Sequence, residues 1–221
     1  MIDIHTHLIP NFDDGSKSLE MTKKMLDEHV RIGINTIYLT PHQNANNKNK
    51  LELVERFEKL KEELKDYPIN FYLGSEIYYY NGLIDDLKND RCLTMNNTKY
   101  VLVEFSTRTE TNIADIIYEI VIAGFKPIVA HIERYQYLSE NDYLEIKSNG
   151  ALIQVNSKSF ENKEYKKILK FLLKNKLIDF IASDCHNDTN RNVDFTEAIK
   201  IISKKYKDQF DHIFNNKLLN N

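Results

Sequence analysis

The sequence predicts an α/β fold in which parallel strands form a closed or nearly closed barrel. Short apolar runs alternate with longer amphipathic segments, as is typical of parallel sheets with helices between the strands. Seven strand–helix units can be assigned, a number that suits a barrel better than an open doubly wound sheet. No repeat, linker or low-complexity segment interrupts the pattern, so we expect one domain over residues 1–221.

The composition agrees with one domain and excludes several functional classes. At 221 residues and 42% hydrophobic residues, the chain can bury a sizeable core. Its formal net charge of −3 gives no general reason to expect nucleic-acid or membrane binding, and no apolar run is as long as a membrane span. Two cysteines, Cys92 and Cys185, are too few for a disulfide framework. We expect a cytoplasmic protein without membrane insertion. The sequence does not determine its oligomeric state.

The individual elements follow from the apolar pattern. The candidate strands are "IDIHT", "NTIYLT", "NFYLGSE", "KYVLVEF", "KPIVAH", "ALIQVN" and "IDFIAS". Helical patterns cover residues 18–32, 50–66, 110–123, 139–148, 162–175 and 194–206. Ser18 is placed to cap the first helix and Gly33 to end it. Gly124 and Gly150 follow later helices and precede strands, as loops of this kind prefer.

The first strand ends in a His-x-His pair, His5 and His7. Side chains alternate along a strand, so both are expected to point the same way. Alone, such a pair fits an ordinary polar strand end as well as a metal site. Asp14 lies in the next loop, in "FDDG", which alone is usually only a turn.

The same pattern recurs at later strands, each of which runs into a His, Asp or Glu. The residues concerned are His42, Glu76, Glu104, His131, Asp184 and His186. Glu104 lies between Val103 and Phe105, where a carboxylate rarely occurs without a cation. The strand C-termini of a parallel barrel open on one face, and its first and last strands are neighbours. The pattern therefore predicts a multinuclear metal centre at the C-terminal ends of the strands.

Two further histidines do not follow a strand and are left out of the predicted site. His29 lies in the last turns of a helical pattern, and His212 lies in a polar C-terminal segment. We expect both side chains at the surface, with His29 favoured by the negative end of its helix.

The charges of the nine predicted ligands favour an anionic substrate. Nine ligands can serve three metal ions if one carboxylate bridges, and three divalent ions exceed the charge of the four carboxylates by two. Arg134 and Arg191 follow His131 and His186 by three and five residues, in loops of the same face, and suit phosphate binding. The residues predict hydrolysis of a phosphate monoester by a metal-bridging hydroxide. Histidines and carboxylates without thiolates fit Mn, Fe or Zn.

A competing interpretation concerns "DCHNDTNR", residues 184–191. Five residues separate Cys185 from Arg191, which is the spacing of a phosphatase loop with a thiolate nucleophile. That loop needs backbone N–H groups and a positive environment, whereas here Asp184 and Asp188 lie near the thiol and the intervening residues lack Gly. We therefore expect Cys185 to point away from the site, between two metal ligands.

Taken together, the motifs resemble one known family. They are "DIHTHLIPNFDDG", "YLTPH", "LGSEI", "YVLVEF", "AHIERY" and "IASDCHN". In this order they look like the bacterial manganese-dependent tyrosine-protein phosphatases of the polymerase and histidinol phosphatase (PHP) superfamily, which are encoded with capsule or exopolysaccharide genes. Two positions depart from the family pattern, Ile132 where Pro is usual and Cys185 where Ala is usual, and neither removes a ligand.

The resemblance implies a distorted (β/α)7 TIM-like barrel, about three divalent metal ions of which Mn²⁺ is the typical one, and hydrolysis of phosphotyrosine on proteins. The typical substrate is a bacterial tyrosine kinase. By motif, the first metal would be held by His5, His7, Glu76 and Asp184, the second by Glu76, Glu104 and His131, and the third by Asp14, His42 and His186. Arg134 and Arg191 would hold the phosphate.

Two alternatives stay open at this point. The same centre could act on a small phosphomonoester such as histidinol phosphate, or the chain could be a non-catalytic, metal-stabilised binding module. An aromatic rim of Tyr78, Tyr79, Tyr80, Tyr135 and Tyr137 would suit a phenyl ring, although aromatic residues near barrel loops more often serve packing.

Overall fold

The structure is a computed structural model that describes residues 1–216. The last five residues of the single domain expected over 1–221 lie outside the described residues. The strands are β1 (Ile2–Thr6), β2 (Thr36–Leu39), β3 (His42–Gln43), β4 (Asn70–Leu73), β5 (Glu76–Tyr78), β6 (Tyr100–Glu104), β7 (Lys126–Val129), β8 (Leu152–Asn156) and β9 (Phe180–Ala182). The helices are α1 (Leu19–Ile32), α2 (Lys50–Glu63), α3 (Leu83–Lys88), α4 (Ile113–Ile122), α5 (Glu140–Ser148), α6 (Lys166–Lys174), α7 (Thr196–Lys205) and α8 (Phe210–Phe214).

All strand pairs are parallel, as the alternation of strands and helices predicts. One sheet has the order β1-β2-β4 and the other β3-β5-β6-β7-β8-β9. The first and last strands also meet: Thr6 and Cys185 form a parallel bridge. The first and last strands are therefore neighbours, as expected. The curled parallel sheet brings the C-terminal ends of its strands to one side.

Short strands follow breaks near the ends of two predicted strands. The second predicted strand, "NTIYLT", ends at Leu39, and the separate strand β3 begins at His42, beyond Pro41, which has no N–H for the ladder. The third predicted strand stops at Leu73 and resumes at Glu76, across Gly74 and Ser75. After both breaks the strands pair again with His42 opposite Glu76, and these two predicted ligands therefore become direct neighbours.

A register shift in β1, between Asp3 and Thr6, changes which side chains face the site. Strict alternation would place Asp3 and His5 on the same face of the strand. Instead, Asp3 reaches His29 of α1, whereas the imidazole of His5 lies beside that of His7. Irregularities of this kind re-aim single side chains and are frequent next to active sites.

The helices match the predicted segments, with shorter ends. Ser18 caps α1 by accepting a hydrogen bond from the N–H of Met21, and Gly33 ends the helix at φ +88°. The sequence did not predict the short helices α3 and α8, which have six and five residues and are too short for a clear period. No helix among residues 1–216 is long and apolar enough to cross a membrane.

Two buried apolar clusters hold the sheet in place. The larger one lies between the strands and the helices and includes Leu26, Phe57, Ile117, Leu172 and Phe195. The smaller one gathers side chains mainly of the strands, together with Met95 and Ala130 beside them: Ile2, Ile4, Tyr38, Met95, Tyr100, Leu102, Ile128, Ala130, Phe180 and Ala182. Burial of these side chains at about 1.5–3 kcal/mol each provides a rigid base for the polar residues at the strand ends.

Candidate metal centre

The nine predicted ligand residues come together at the C-terminal edge of the sheet, and Glu76 lies at their centre. Its Oε2 atom lies 3.2 Å from His5 Nε2, 3.4 Å from His7 Nε2 and 2.9 Å from His42 Nδ1. Its Oε1 atom lies 2.9 Å from His131 Nε2. Glu76 is 1% exposed, so one buried carboxylate is shared by four imidazoles.

The other three carboxylates extend this centre in different directions. Asp184 Oδ1 lies 3.6 Å from the Nε2 atoms of both His5 and His7. Asp14 Oδ1 lies 3.3 Å from His42 Nε2 and 3.2 Å from His186 Nε2. On the opposite side, Glu104 Oε1 lies 3.6 Å from His131 Nε2.

These contacts form three overlapping groups whose ligand atoms lie within 4.8 Å of one another. The groups are His7, Asp14, His42 and His186; His5, His7 and Asp184; and His42, Glu76 and Glu104. They overlap closely with the three sets that the family resemblance implies. His7 and His42, however, each join two groups, and His131 approaches the third group through Glu76 and Glu104.

The donor set fits divalent metal ions. Imidazole and carboxylate ligands suit Mn, Fe and Zn, and no thiol belongs to the three groups. Two buried atoms that face the centre, Glu76 Oε2 and His186 Nε2, have no hydrogen bond of good geometry among the described residues. Buried polar atoms normally have a partner, so these two are free to bind a cation.

The backbone is strained at two of the predicted ligands. His131 has φ +31° and Asp184 has φ +51°, a region that residues other than Gly seldom adopt. Each lies two residues beyond the end of a strand, β7 and β9 respectively. Such strain persists only where the surroundings enforce it, and it is common at functional sites.

The ionisation of the centre reflects its crowded charges. Burial lowers the pKa of His5, but the carboxylates of Glu76 and Asp184 outweigh it and raise the pKa to about 8. Burial also lowers the pKa of His7, but the hydrogen bond to Asp13 and the nearby carboxylate of Glu76 outweigh it and raise the pKa to about 10. Burial and the nearby His7 lower the pKa of His186 to about 3. Metal ions therefore compete with protons for His5 and His7 at neutral pH, but not for His186.

Two residues that the sequence analysis did not single out orient the histidines. Asp13 Oδ2 lies 2.7 Å from His7 Nδ1 and accepts the backbone N–H of His42 at 3.1 Å. Gln154 Oε1 lies 3.2 Å from His5 Nδ1 and accepts the backbone N–H of His131 at 2.8 Å. Acceptors at Nδ1 fix the proton there and leave Nε2 for the centre, as is usual for metal-binding histidines. Asp13 is the neighbour of Asp14 in the "FDDG" turn, so the sequence offered a hint of its role. The sequence around Gln154 contains no motif that indicates contact with the histidines.

The two predicted phosphate ligands lie at the rim of the centre. Arg191 Nη1 lies 3.1 Å from Asp14 Oδ2, and its Nη2 lies 3.4 Å from Asp184 Oδ1. Arg134 Nη1 lies 3.6 Å from Asp184 Oδ2. Both side chains are partly exposed, so both guanidinium groups can reach an anion that enters from solvent.

Cys185 lies apart from the reactive groups of the site. It is fully buried, and burial together with the nearby carboxylate of Asp3 raises the pKa of its thiol well above the usual range. A reactive cysteine needs the opposite, an accessible and electropositive position. The expectation that Cys185 points away between Asp184 and His186 agrees with this burial.

The expectation that His29 is a surface residue is wrong. Its side chain is fully buried, with Nε2 3.0 Å from Asp3 Oδ2 and Nδ1 2.8 Å from the carbonyl oxygen of Met25. Asp3 Oδ1 accepts the backbone N–H groups of His5 and Ser183 at 3.3 and 3.0 Å. The His29–Asp3 pair thus supports both strands at the seam. His212, by contrast, is 53% exposed, as expected.

Most of the tyrosines of the expected aromatic rim serve packing. Tyr80 donates a hydrogen bond to Asp86, and Tyr79 packs 5.5 Å from the ring of Phe105. Tyr135 is buried, and its hydroxyl oxygen accepts the backbone N–H of Phe105 at 2.9 Å. Tyr78 is the most exposed of the run, at 41%.

The geometry defines a class of protein: an α/β fold whose parallel strands carry a histidine- and carboxylate-rich, metal-type site at their C-terminal ends. Comparison with known families makes the assignment specific. The family described as "Capsular polysaccharide synthesis, CpsB/CapC" matches residues 1–219, and the chain belongs to this family. The resemblance found in the sequence motifs is thereby confirmed.

Relatives similar to this chain include tyrosine-protein phosphatases. Tyrosine-protein phosphatase CpsB of Streptococcus agalactiae is 32% identical over 97% of this chain and 95% of its own length. Tyrosine-protein phosphatase YwqE of Bacillus subtilis is 34% identical over 96% of this chain and 88% of its own length.

Solved structures agree with this assignment. One from a study of YwqE of Bacillus subtilis and CpsB of Streptococcus pneumoniae, described as metal-dependent tyrosine phosphatases, superposes with a TM-score of 0.86 and 31% identity over 93% of this chain and 87% of the solved one. Histidinol phosphate phosphatase of Lactococcus lactis, solved with zinc, L-histidinol and phosphate, gives a TM-score of 0.61 over 92% of both chains. At its 14% identity that likeness shows the fold alone.

Proposed function

We propose that this protein is a metal-dependent phosphatase that hydrolyses phosphotyrosine on proteins. One observation carries the proposal: five imidazoles and three carboxylates converge around the buried carboxylate of Glu76, and two guanidinium groups lie at the rim of the same centre. The membership in a family with relatives named tyrosine-protein phosphatases supports the substrate class.

About three divalent metal ions would occupy the centre, with Mn²⁺ proposed from the family resemblance and Fe or Zn also compatible with the ligands. The proposed ligands are His5, His7, Asp14, His42, Glu76, Glu104, His131, Asp184 and His186. When bound, such ions lower the pKa of water and offset the negative charge of a phosphate ester.

The protein's own groups bind and orient. Arg134 and Arg191 would donate hydrogen bonds to phosphate oxygens, for which a guanidinium is well suited. Asp13 and Gln154 hold the Nδ1 atoms of His7 and His5 and so keep the site in one arrangement while substrate binds. Phosphoryl transfer depends mainly on such positioning and on charge stabilisation.

Further features extend the proposal. The curled parallel sheet, with its strand breaks, is compatible with a distorted barrel of seven strand–helix units. A bacterial tyrosine kinase is the proposed protein substrate, as the family resemblance of the motifs implies. We also propose a cytoplasmic location, where Cys92 and Cys185, both free thiols, would stay reduced.

The test compares hydrolysis of a phosphotyrosyl peptide and of histidinol phosphate by the same preparation. We expect the peptide to be the better substrate, with activity lost on chelation and restored by Mn²⁺. A Glu76→Gln variant should lose at least about 100-fold in kcat/KM, since one bridging charge is removed, whereas the exposed Glu63→Gln control should not.

Two outcomes would contradict the proposal. Preferred hydrolysis of histidinol phosphate would make the protein a small-molecule phosphatase. A folded, metal-loaded protein without activity on either ester would make it a binding module.

A further inference from the structure

A cavity of about 530 Å³ opens beside the metal centre. Arg134, Asp184 and Arg191 line its inner end, and its walls come from residues 156–165 and 190–192. The volume lies within the usual range of ligand sites. Because the proposed phosphate ligands Arg134 and Arg191 belong to its lining, a bound phosphoester would extend into this cavity.

The charges in this cavity are unequal. Its lining includes three cationic side chains, Arg134, Lys158 and Arg191, and the carboxylate of Asp184. Both arginines contact Asp184. Lys158 forms no ion pair with a carboxylate in the described part of the chain, although Asp184 lines the same cavity.

Lys158 is held in place by neutral oxygens instead. Its Nζ donates to the carbonyl oxygen of Asn190 at 3.0 Å and to Asn192 Oδ1 at 2.8 Å. An ammonium group has three N–H donors, so one remains after these two bonds. The half-buried ammonium is therefore paired only with neutral oxygens and has one donor left for an incoming acceptor.

We propose that Lys158 is a specificity-determining residue that binds a second anionic group of the substrate chain, next to the phosphotyrosine. The inference rests on the proposed phosphatase function and deepens it. The anion is either the carboxylate of an acidic residue or the phosphate of a neighbouring phosphotyrosine. Both accept charge-assisted hydrogen bonds from an ammonium, whereas a neutral side chain does not replace that attraction.

The contact with Asn190 and Asn192 suggests a simpler role, in which Lys158 only fixes the loop that carries Arg191. That role would affect all phosphotyrosyl substrates alike. A role in specificity changes the ratio between substrates, so the ratio is the quantity to measure.

The experiment uses the full-length, metal-loaded protein and four peptides of equal length. All share a central phosphotyrosine, and their neighbouring positions carry Gln, Glu, Tyr or phosphotyrosine. We expect kcat/KM to be about 5- to 10-fold higher for Glu over Gln, for phosphotyrosine over Tyr, or for both. This is less than the full strength of a hydrogen bond to a charged group, because solvent partly screens the half-buried ammonium. The two comparisons separate the two sources of negative charge.

Variants then assign the preference to Lys158. Lys158→Met keeps the apolar stem and should bring the ratios close to one, and Lys158→Arg should restore them. Lys167→Met, an exposed lysine of α6 outside the cavity lining, is the matched control and should keep the wild-type ratios. If Lys158→Met does not fold, the wild-type ratios should still fall with added salt.

Two results would overturn the inference. Equal rates on all four peptides by the active wild-type enzyme would exclude the anion subsite and would leave the proposed phosphatase function intact. Unchanged ratios in Lys158→Met would exclude Lys158 as its source. Absence of hydrolysis of every peptide would overturn the proposed function, and the subsite with it.

Discussion

The backbone N–H of His7 donates a hydrogen bond to the carbonyl oxygen of Cys185 at 3.0 Å. This bond joins the segment after β1 to the segment after β9, beside the two pairs of predicted ligands. His5 and His7 therefore face Asp184 and His186 through backbone pairing, which does not depend on any single side chain. Sites supported by paired strands are held more precisely than sites on free loops.

Asp13 orients His7, and its replacement should weaken metal binding without unfolding the protein. We expect Asp13→Asn to lower metal affinity by about 10- to 100-fold, the usual effect of losing a partner of a ligand histidine. Titration with Mn²⁺ measures this change. The exposed Asp66→Asn variant is the control, and equal affinity in the two variants would remove Asp13 from the site.

Metal binding should release protons. In chelated protein the pKa of His5 is raised to about 8 and that of His7 to about 10, so both imidazoles are protonated at pH 7. A metal ligand must be deprotonated, and roughly two protons should leave on binding. Affinity should accordingly rise as the pH increases from 7 towards 10.

Calorimetry in two buffers of different ionisation enthalpy measures this proton release directly. His186, whose pKa is lowered to about 3, should not contribute at pH 7. Binding that takes up protons, or whose strength does not change with pH, would contradict this description of the centre.

Cys185 should be dispensable for catalysis. Because the thiol is buried and its pKa is raised, Cys185→Ser should keep kcat/KM within about threefold of the wild type, less than 1 kcal/mol in the barrier. Steady-state kinetics on a phosphotyrosyl peptide provide the test. Complete loss of turnover with metals still bound would restore the thiolate mechanism.

The buried His29–Asp3 pair should contribute strongly to stability. His29→Leu leaves the carboxylate of Asp3 buried without its partner, and we expect the free energy of unfolding to fall by about 3–5 kcal/mol. His212→Leu removes an exposed imidazole that lies 3.3 Å from Asp179, and it should cost no more than about 1 kcal/mol. Denaturant unfolding compares the two variants, and equal losses would show that burial does not set the cost.

The strand ends were the most informative part of the sequence. His42, Glu76 and His131 each follow an apolar run, and parallel pairing alone is enough to gather such residues on one edge. The sequence did not show that strand pairing resumes at His42 and Glu76 after these breaks. The renewed pairing depends on neighbouring strands, which lie beside the chain on the far side of Pro41 and Gly74.

The errors have a common physical origin. The position of His29 in the last turns of a helical pattern predicts a surface side chain, but its buried partner, Asp3, lies 26 residues away in the chain. Gln154 is equally silent in the sequence, because its role comes from two histidines in other strands. The sequence pattern identifies predicted ligands at strand ends. The residues that orient these ligands can be identified only from the folded structure, because their partners lie far away in the chain.

The most direct test of the central claim is a crystal structure with phosphate, measured at the absorption edges of Mn, Fe and Zn. We expect about three metal peaks, held by His5, His7, Asp14, His42, Glu76, Glu104, His131, Asp184 and His186, with phosphate on Arg134 and Arg191. Metal peaks away from Glu76, or phosphate bound without contact to either arginine, would contradict the account.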